Sequence, residues 1–172
     1  FEIYHDEWSA FPREPYILDL LFNGESITII NNHLKCCGGE DNENRRQAAS
    51  ELLQEYIDQF ESSHRVIVVG DLNDEISEPM STNVFWNFID DDQNYIFADM
   101  SIALDQSERY WSYPSWPSHI DHILITNELF DSFDDPLSKI RTIRVGDYLP
   151  GGLLEYYSKV SDHLPVAIRL DL

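Results

Sequence analysis

The sequence predicts a single α/β domain in which sheets are covered by helices. Two apolar runs joined by Asn23-Gly24 read as a hairpin, Val66-Ile67-Val68-Val69 reads as a strand buried on both faces, and the stretch between carries apolar residues at helical spacing. A chain of 172 residues that is 42% hydrophobic and 13% aromatic has the material for one sizeable core.

In chain order, the first strand is expected over Pro15–Phe22 and its partner over Ser26–Ile30, running straight into Asn31-Asn32-His33. Asp41 or Asn42 then caps a helix, because Ala48, Leu52, Leu53, Tyr56, Ile57 and Phe60 recur on one face, which must lie on a sheet. The Val66–Val69 strand delivers Gly70-Asp71-Leu72-Asn73-Asp74 at its end. Residues 75–118 hold short helical pieces near Val84–Phe88 and loops rich in Trp, Tyr and Pro. The run from Ile120 to Ile125 is a strand interrupted by Asp121 and His122, and Thr126 caps a short helix through Phe130. Lys139–Val145 alternates as a strand, Leu153–Tyr157 fits either state, and Val166–Leu172 closes the chain as a half-buried strand after Pro165. No internal repeat or low-complexity segment interrupts this order.

Charge narrows the function. Lys and Arg number 11 against 32 Asp and Glu, a net charge of −21. Such a surface repels nucleic acid and anionic membranes at long range, so a phosphate substrate needs a divalent metal or a few placed basic residues. The charge suits an extracellular, periplasmic or salt-tolerant protein. No apolar run reaches the length of a membrane span and no signal peptide is visible, while Phe1 fits removal of an upstream segment. The two cysteines are neighbours, Cys36-Cys37, which excludes four-Cys zinc patterns. They read as ordinary thiols in a loop, with a strained bridge between them or a bridge to another segment as the alternatives.

Four strand ends carry the same cargo: His33, Asp71 with Asn73, Asp121 with His122, and Asp162 with His163. Each has a bland reading. A lone His after a strand is often a hydrogen-bonded structural residue, Gly-Asp-x-Asn is compatible with an Asx-turn, and Ser161-Asp162-His163 with a cap or turn. Asp121 inside an apolar run is less bland, because a carboxylate beside a core is costly unless paired. Together the four sets point to a polar cleft at one end of a sheet.

The set "NNHL" (31–34), "VVGDLND" (68–74), "IDHILIT" (120–126) and "VSDHLPVAI" (160–168) resembles the endonuclease/exonuclease/phosphatase superfamily, and "FPREP" (11–15) resembles a motif of its pancreatic-type deoxyribonucleases. The resemblance runs from Phe11 to the end. It implies part of a four-layered α/β sandwich, two packed, mostly antiparallel sheets flanked by helices, and metal-dependent hydrolysis of a phosphoester with Mg²⁺ or Mn²⁺, Ca²⁺ being a further option. By resemblance His163 contacts the scissile phosphate or handles a proton, and Asp121 orients its imidazole. Asp162 is a metal ligand, Asp71 positions or deprotonates the attacking water and touches metal, and Asn73 bonds phosphate or metal. His33 acts on a phosphate oxygen or the leaving group, and Arg13 contacts nucleic-acid phosphate. His122 should point to the opposite face as a structural residue. Arg45 and Arg46 read as solvated or paired with the acidic loop 40–43, and Asp90-Asp91-Asp92 as a solvated run. Tyr110, Trp111, Tyr113 and Trp116 either line a groove by stacking or pack a loop.

The chain departs from that family in lacking its N-terminal half, with an early Asn motif and a Gln-Glu motif whose glutamate ligates metal. Glu2, Glu7 and Glu14 all sit too near the Arg-Glu-Pro segment to be that glutamate. The expectation is a C-terminal part of the domain over residues 1–172, completed by a missing half, by another chain or by self-association over an orphaned apolar face. The function expected is a metal-dependent phosphodiester hydrolase, a nuclease first, with a phosphatase or a lipid or nucleotide phosphoesterase as the rival. A non-catalytic phosphate-binding module or inactive fragment is the reading from another class.

Overall fold

The structure is a computed structural model that describes residues 10–60, 63–105 and 107–172; Glu2 and Glu7 lie outside them. Strands β1 (Tyr16–Phe22) and β2 (Glu25–His33) form the expected hairpin, with Asn23 and Gly24 at φ 52° and 88°. Two positive φ values in a two-residue turn match the twist of the strands, and Asn-Gly adopts them at low cost. β2 is longer than its apolar run because Asn31, Asn32 and His33 stay paired to β3 (Arg65–Asp71), which runs parallel to it. β5 (Asp121–Thr126) lies antiparallel to β3, and β4 (Tyr95–Phe97) pairs with β5, giving the order β1-β2-β3-β5-β4. A second sheet pairs β6 (Lys139–Thr142) with β7 (Val166–Arg169).

The parallel β2–β3 pair requires a crossover, supplied by α1 (Glu40–Ile57). The helix begins after Gly39, at φ 104°, and not at Asp41 or Asn42; both fall inside it, where Glu40, Asp41 and Glu43 in the first turn complement the positive end of the helix dipole. Its buried face is Ala49, Ser50, Leu53 and Ile57, while Ala48, Leu52 and Tyr56 pack at the margin and Phe60 lies beyond the helix end. This face covers Ile30, Val66 and Val68, and α2 (Trp86–Asp90) adds Phe88 beside Phe85. The alternate residues Ile27, Ile67, Ile123 and Ile125 point the other way, onto Ile140, Val166 and Ile168 of the second sheet. Two sheets therefore stack face to face with helices flanking them, as expected.

Several local expectations shift. The Lys139–Val145 strand stops at Thr142 and a 3-10 turn follows over Val145–Tyr148, while the ambiguous Leu153–Tyr157 belongs to a helix, Gly152–Lys159. The last strand ends at Arg169, short of Leu172. Thr126 precedes a 3-10 turn (Asn127–Leu129), but its hydroxyl accepts the Val66 N–H at 3.1 Å and does not cap. β4 and the short α3 (Met100–Ala103) were not legible in the pattern. β1 is an edge strand that shows Tyr16, Leu18, Leu20, Leu21 and Phe22 to solvent. Among the described residues no helix is long and apolar enough to cross a membrane.

Candidate active site

The strand register builds the site. His33, the last residue of β2, stands opposite Asp71, the last of β3, and Asp71 stands opposite Asp121, the first of β5. One row across three adjacent strands thus carries an imidazole and two carboxylates. The row lies on the face that packs the second sheet, because Val69 and Ile67 precede Asp71 at period two and Ile123 follows Asp121. It forms at all because residue 70 is glycine. At φ 137°, a Cβ on Gly70 would lie 1.9 Å from the carbonyl oxygen of Asn32 on β2, so any side chain would part the strands just before the row.

His163 enters from the loop before β7. Its Nδ1 is 2.8 Å from Oδ2 of Asp121, and its Nε2 is 3.9 Å from Oδ2 of Asp71, which also has Nε2 of His33 at 3.4 Å. Asp71, Asp121 and His163 each offer an atom within 4.8 Å of the others. Backbone and ring contacts both position His163. The Ser161 hydroxyl accepts the His163 N–H at 3.0 Å, the Tyr156 hydroxyl donates to the His163 carbonyl at 2.9 Å, and the Tyr113 ring stacks at a centroid distance of 4.6 Å. Ser112 fixes the facing strand, its Oγ accepting the N–H groups of Ile120 and Asp121 at 2.9 and 3.0 Å. The turn reading of Ser161-Asp162-His163 is realised, and the same three residues line the cleft.

The charges are set against one another. The hydrogen bond to Asp121 pushes the His163 pKa up, partial burial opposing it and the Asp121 and Asp71 charges adding to it. Desolvation and the facing Asp121 push the Asp71 carboxyl up, with His163, His33 and the Asn73 N–H acting the other way. Asp71 is therefore the more basic of ordinary carboxylates, beside an imidazole poised to be cationic. Asn73 sits at φ 56°. Its N–H donates to Oδ1 of Asp71 at 3.0 Å and its Nδ2 to the Leu34 carbonyl at 3.2 Å, so the Asx-turn is present and holds the carboxylate in place.

Beneath this row lies a buried support that sequence reading missed. Arg46, expected to be solvated or paired with the acidic loop 40–43, is instead only 3% exposed and donates from Nε to Asp74 at 2.7 Å and from Nη1 to the carbonyls of Lys35 and Cys37, both at 2.9 Å. It pins the Cys36-Cys37 loop to the turn after Asp71. Asp99, fully buried, accepts from His122 Nδ1 at 2.7 Å, His119 Nε2 at 3.0 Å and the Ile123 N–H at 2.8 Å. Burial alone would raise Asp99, but the His122 charge and these bonds outweigh it and hold the carboxyl below the usual range. His122 Nε2 faces the Asp74 carbonyl at 2.9 Å, so both ring nitrogens meet acceptors; burial would lower its pKa, yet Asp99 and that carbonyl raise it. His122 occupies the opposite sheet face, as the alternation of β5 requires, among Phe85 and Phe97. Asp99, His119 and Arg46 lie far in sequence from their partners, and none stands in a motif that a linear pattern would pick out.

These elements wall a cleft of about 1020 Å³. His33, Asp71, Asn73, Asp121, Asp162 and His163 all line it, so six of the seven residues singled out converge on one place. Arg13 is exposed on the segment entering β1 and is not among the lining residues. Asp162 is exposed on the cleft wall, and Tyr113 and Trp116 of the aromatic set reach it, Trp116 being 76% exposed. Asp71, Asp162 and the Asn73 amide offer hard oxygen donors along the cleft, of the kind that suits Mg²⁺ or Mn²⁺, while the ligand atoms that lie within 4.8 Å of one another there are those of Asp71, Asp121 and His163. The crowding of Asp71 against Asp121 is the strain such a cation would relieve.

Among solved structures, the human Nocturnin catalytic domain with bound sulfate is similar at a TM-score of 0.57 and 21% identity, over 91% of this chain and 52% of that one. Truncated TDP2 of Caenorhabditis elegans gives 0.58 and 15%, over 92% and 60%. A mannosyl-6-phosphatase of Bacteroides thetaiotaomicron gives 0.50 and 17%, over 87% and 53%. At these identities the likeness is one of fold, and the chain spans a little over half the length of these structures. No curated protein matches the sequence. The model of the endonuclease/exonuclease/phosphatase family, whose members are hydrolytic enzymes acting as nucleases, phosphatases and phosphodiesterases, matches residues 3–145. With that match over most of its length and the fold of its structural neighbours, the chain belongs to the endonuclease/exonuclease/phosphatase family.

Proposed function

We propose that this cleft hydrolyses a phosphodiester with the help of a divalent cation, and that its substrate is a nucleic acid or a nucleotide derivative. The observation that carries the proposal is the cross-strand row His33, Asp71, Asp121 with His163 bridging its two carboxylates. Diester hydrolysis needs a base for water, positive charge for the phosphoryl oxygens and assistance to the leaving oxygen. Asp71, whose Oδ2 lies between the imidazoles of His33 and His163, takes the proton of the attacking water. His163, oriented through Nδ1 by Asp121, presents Nε2 to a phosphoryl oxygen. His33, on the far side of Asp71, serves the leaving oxygen. Asp162, Asp71 and Asn73 would hold the cation, which supplies the charge neutralisation that the acidic cleft lacks. That need is physical: Arg46 is the one arginine lining the cleft and is already paired with Asp74, while Glu43, Glu75 and Glu78 add negative charge. Tyr113 and Trp116 at the cleft favour a substrate with a ring to stack, hence a nucleotide.

The test is turnover of an aryl phosphodiester and of plasmid DNA by this chain, with and without Mg²⁺ or Mn²⁺, beside Asp71→Asn and His163→Ala. Metal-dependent hydrolysis lost in both variants is the expected result. Hydrolysis of an aryl phosphomonoester in place of the diester would replace the nuclease reading by a phosphatase one. Phosphate binding without turnover of either ester would leave a binding module.

A further inference from the structure

Cys36 and Cys37 place two thiols on the cleft wall that hydrolysis does not use. Both are exposed and unbridged, and their sulfur atoms lie 2.9 Å apart, the Cys37 thiol donating to the Cys36 sulfur. Nζ of Lys35 reaches that same sulfur at 3.7 Å. Adjacent thiols in an extended strand point to opposite faces; here Cys37 stands at φ 77°, which turns its side chain back beside its neighbour. The turn is not a loose excursion. Arg46 clamps it through the carbonyls of Lys35 and Cys37 while pairing with Asp74, so the dithiol is held by a buried cation.

We infer that Cys36 and Cys37 form a redox-active dithiol that hydrogen peroxide closes reversibly to a vicinal disulfide on the wall of the cleft. The Cys36 sulfur, in contact with a thiol donor and an ammonium, is the one stabilised as thiolate, and the Cys37 hydrogen bond is the largest cause that lowers its pKa. It attacks the peroxide oxygen, the O–O bond breaks, and the first water leaves with a proton from solvent. The resulting sulfenic acid is attacked by the Cys37 sulfur, the S–S bond forms, and the second water leaves. Two thiols are oxidised and one peroxide is reduced to two waters, which balances. The ring so formed joins residues whose Cα atoms are closer than ordinary disulfides allow, so it carries strain and is readily reduced again. That makes it a switch and not a staple. Its closure must move the peptide that Arg46 holds, and with it the turn that carries Asp74.

The chain contains two cysteines, so the chemistry can be read from intact mass. The full chain is treated with a small excess of hydrogen peroxide at neutral pH, quenched, and weighed before and after dithiothreitol, beside Cys36→Ser and Cys37→Ser. The expected result is loss of two hydrogens in a monomer, restored by dithiothreitol and absent from both variants. Gain of one or two oxygens on sulfur, a covalent dimer, or an unchanged mass in the unsubstituted chain would each overturn the inference. So would a two-hydrogen loss that persists in either variant. None of these readouts depends on hydrolysis, so the proposed activity stands or falls separately.

Discussion

Gly70→Ala should separate the strands that assemble the site. The added Cβ would stand 1.9 Å from the Asn32 oxygen and 2.9 Å from its carbonyl carbon, where ordinary contact begins at 3.4 Å. The difference, 3.4 − 1.9, requires β2 and β3 to part by about 1.5 Å, far beyond what a dense interior absorbs. Backbone strain at φ 137° costs about 1–3 kcal/mol and the overlap about 1–3 kcal/mol more, together about 2–6 kcal/mol. At about 2–4 °C per kcal/mol for a chain of this size, the melting temperature should fall by roughly 4–24 °C. Thermal unfolding followed by circular dichroism reads this directly. Because His33 and Asp71 are the next pair along the same ladder, the variant should also lose hydrolysis at temperatures where it remains folded. A melting temperature within about 2 °C of the parent would refute the claim that close approach at residue 70 demands glycine.

Other consequences follow from the same geometry. Arg46→Met leaves the Asp74 carboxylate and two carbonyls without their donor, and urea unfolding should register a loss of about 3–5 kcal/mol. Asp71→Asn removes a like charge directly opposite Asp121, so at neutral pH it should stabilise the fold by about 0.2–1 kcal/mol. The same change should cut hydrolysis by about 10²-fold or more; unchanged turnover would remove Asp71 from the mechanism. Asp121→Asn takes away the partner that raises His163, so the imidazole titration followed by NMR should move down. A raised folded pKa adds stability that is complete below about 6.5 and disappears as pH rises through the folded value. The parent should therefore exceed Asp121→Asn in stability by most below about pH 6.5, and the gap should narrow on going alkaline. Mg²⁺ or Mn²⁺ at about 100 times its dissociation constant should stabilise the parent by about 2.7 kcal/mol, and Asp162→Asn should blunt the gain.

What could be read in advance was what repeats locally. Short apolar runs bounded by turn signals placed β2, β3 and β5 and therefore the residues at their ends, and the Asn23-Gly24 pair marked the hairpin. Helix start and strand end were less legible, since Gly39 begins α1 by its backbone freedom and β6 stops where Arg144 and Val145 turn, neither of which periodicity records. The supports of the site were invisible for a different reason. Arg46 looks like any helix arginine until Asp74, 28 residues on, is folded against it, and Asp99 becomes a hub through His119 and His122, 20 and 23 residues away. Contacts of that range leave no periodic trace.

An Asx-turn at Asp71-Leu72-Asn73 and a hydrogen-bonded turn at Ser161-Asp162-His163 are real, and each holds a residue that lines the cleft. A carboxylate whose Oδ1 is committed to the Asn73 N–H keeps Oδ2 toward both imidazoles. An imidazole whose Nδ1 is committed to Asp121 has Nε2 left for a ligand. The turn contacts and the proposed catalysis call on different atoms of the same residues, so finding the structural role does not compete with the functional one.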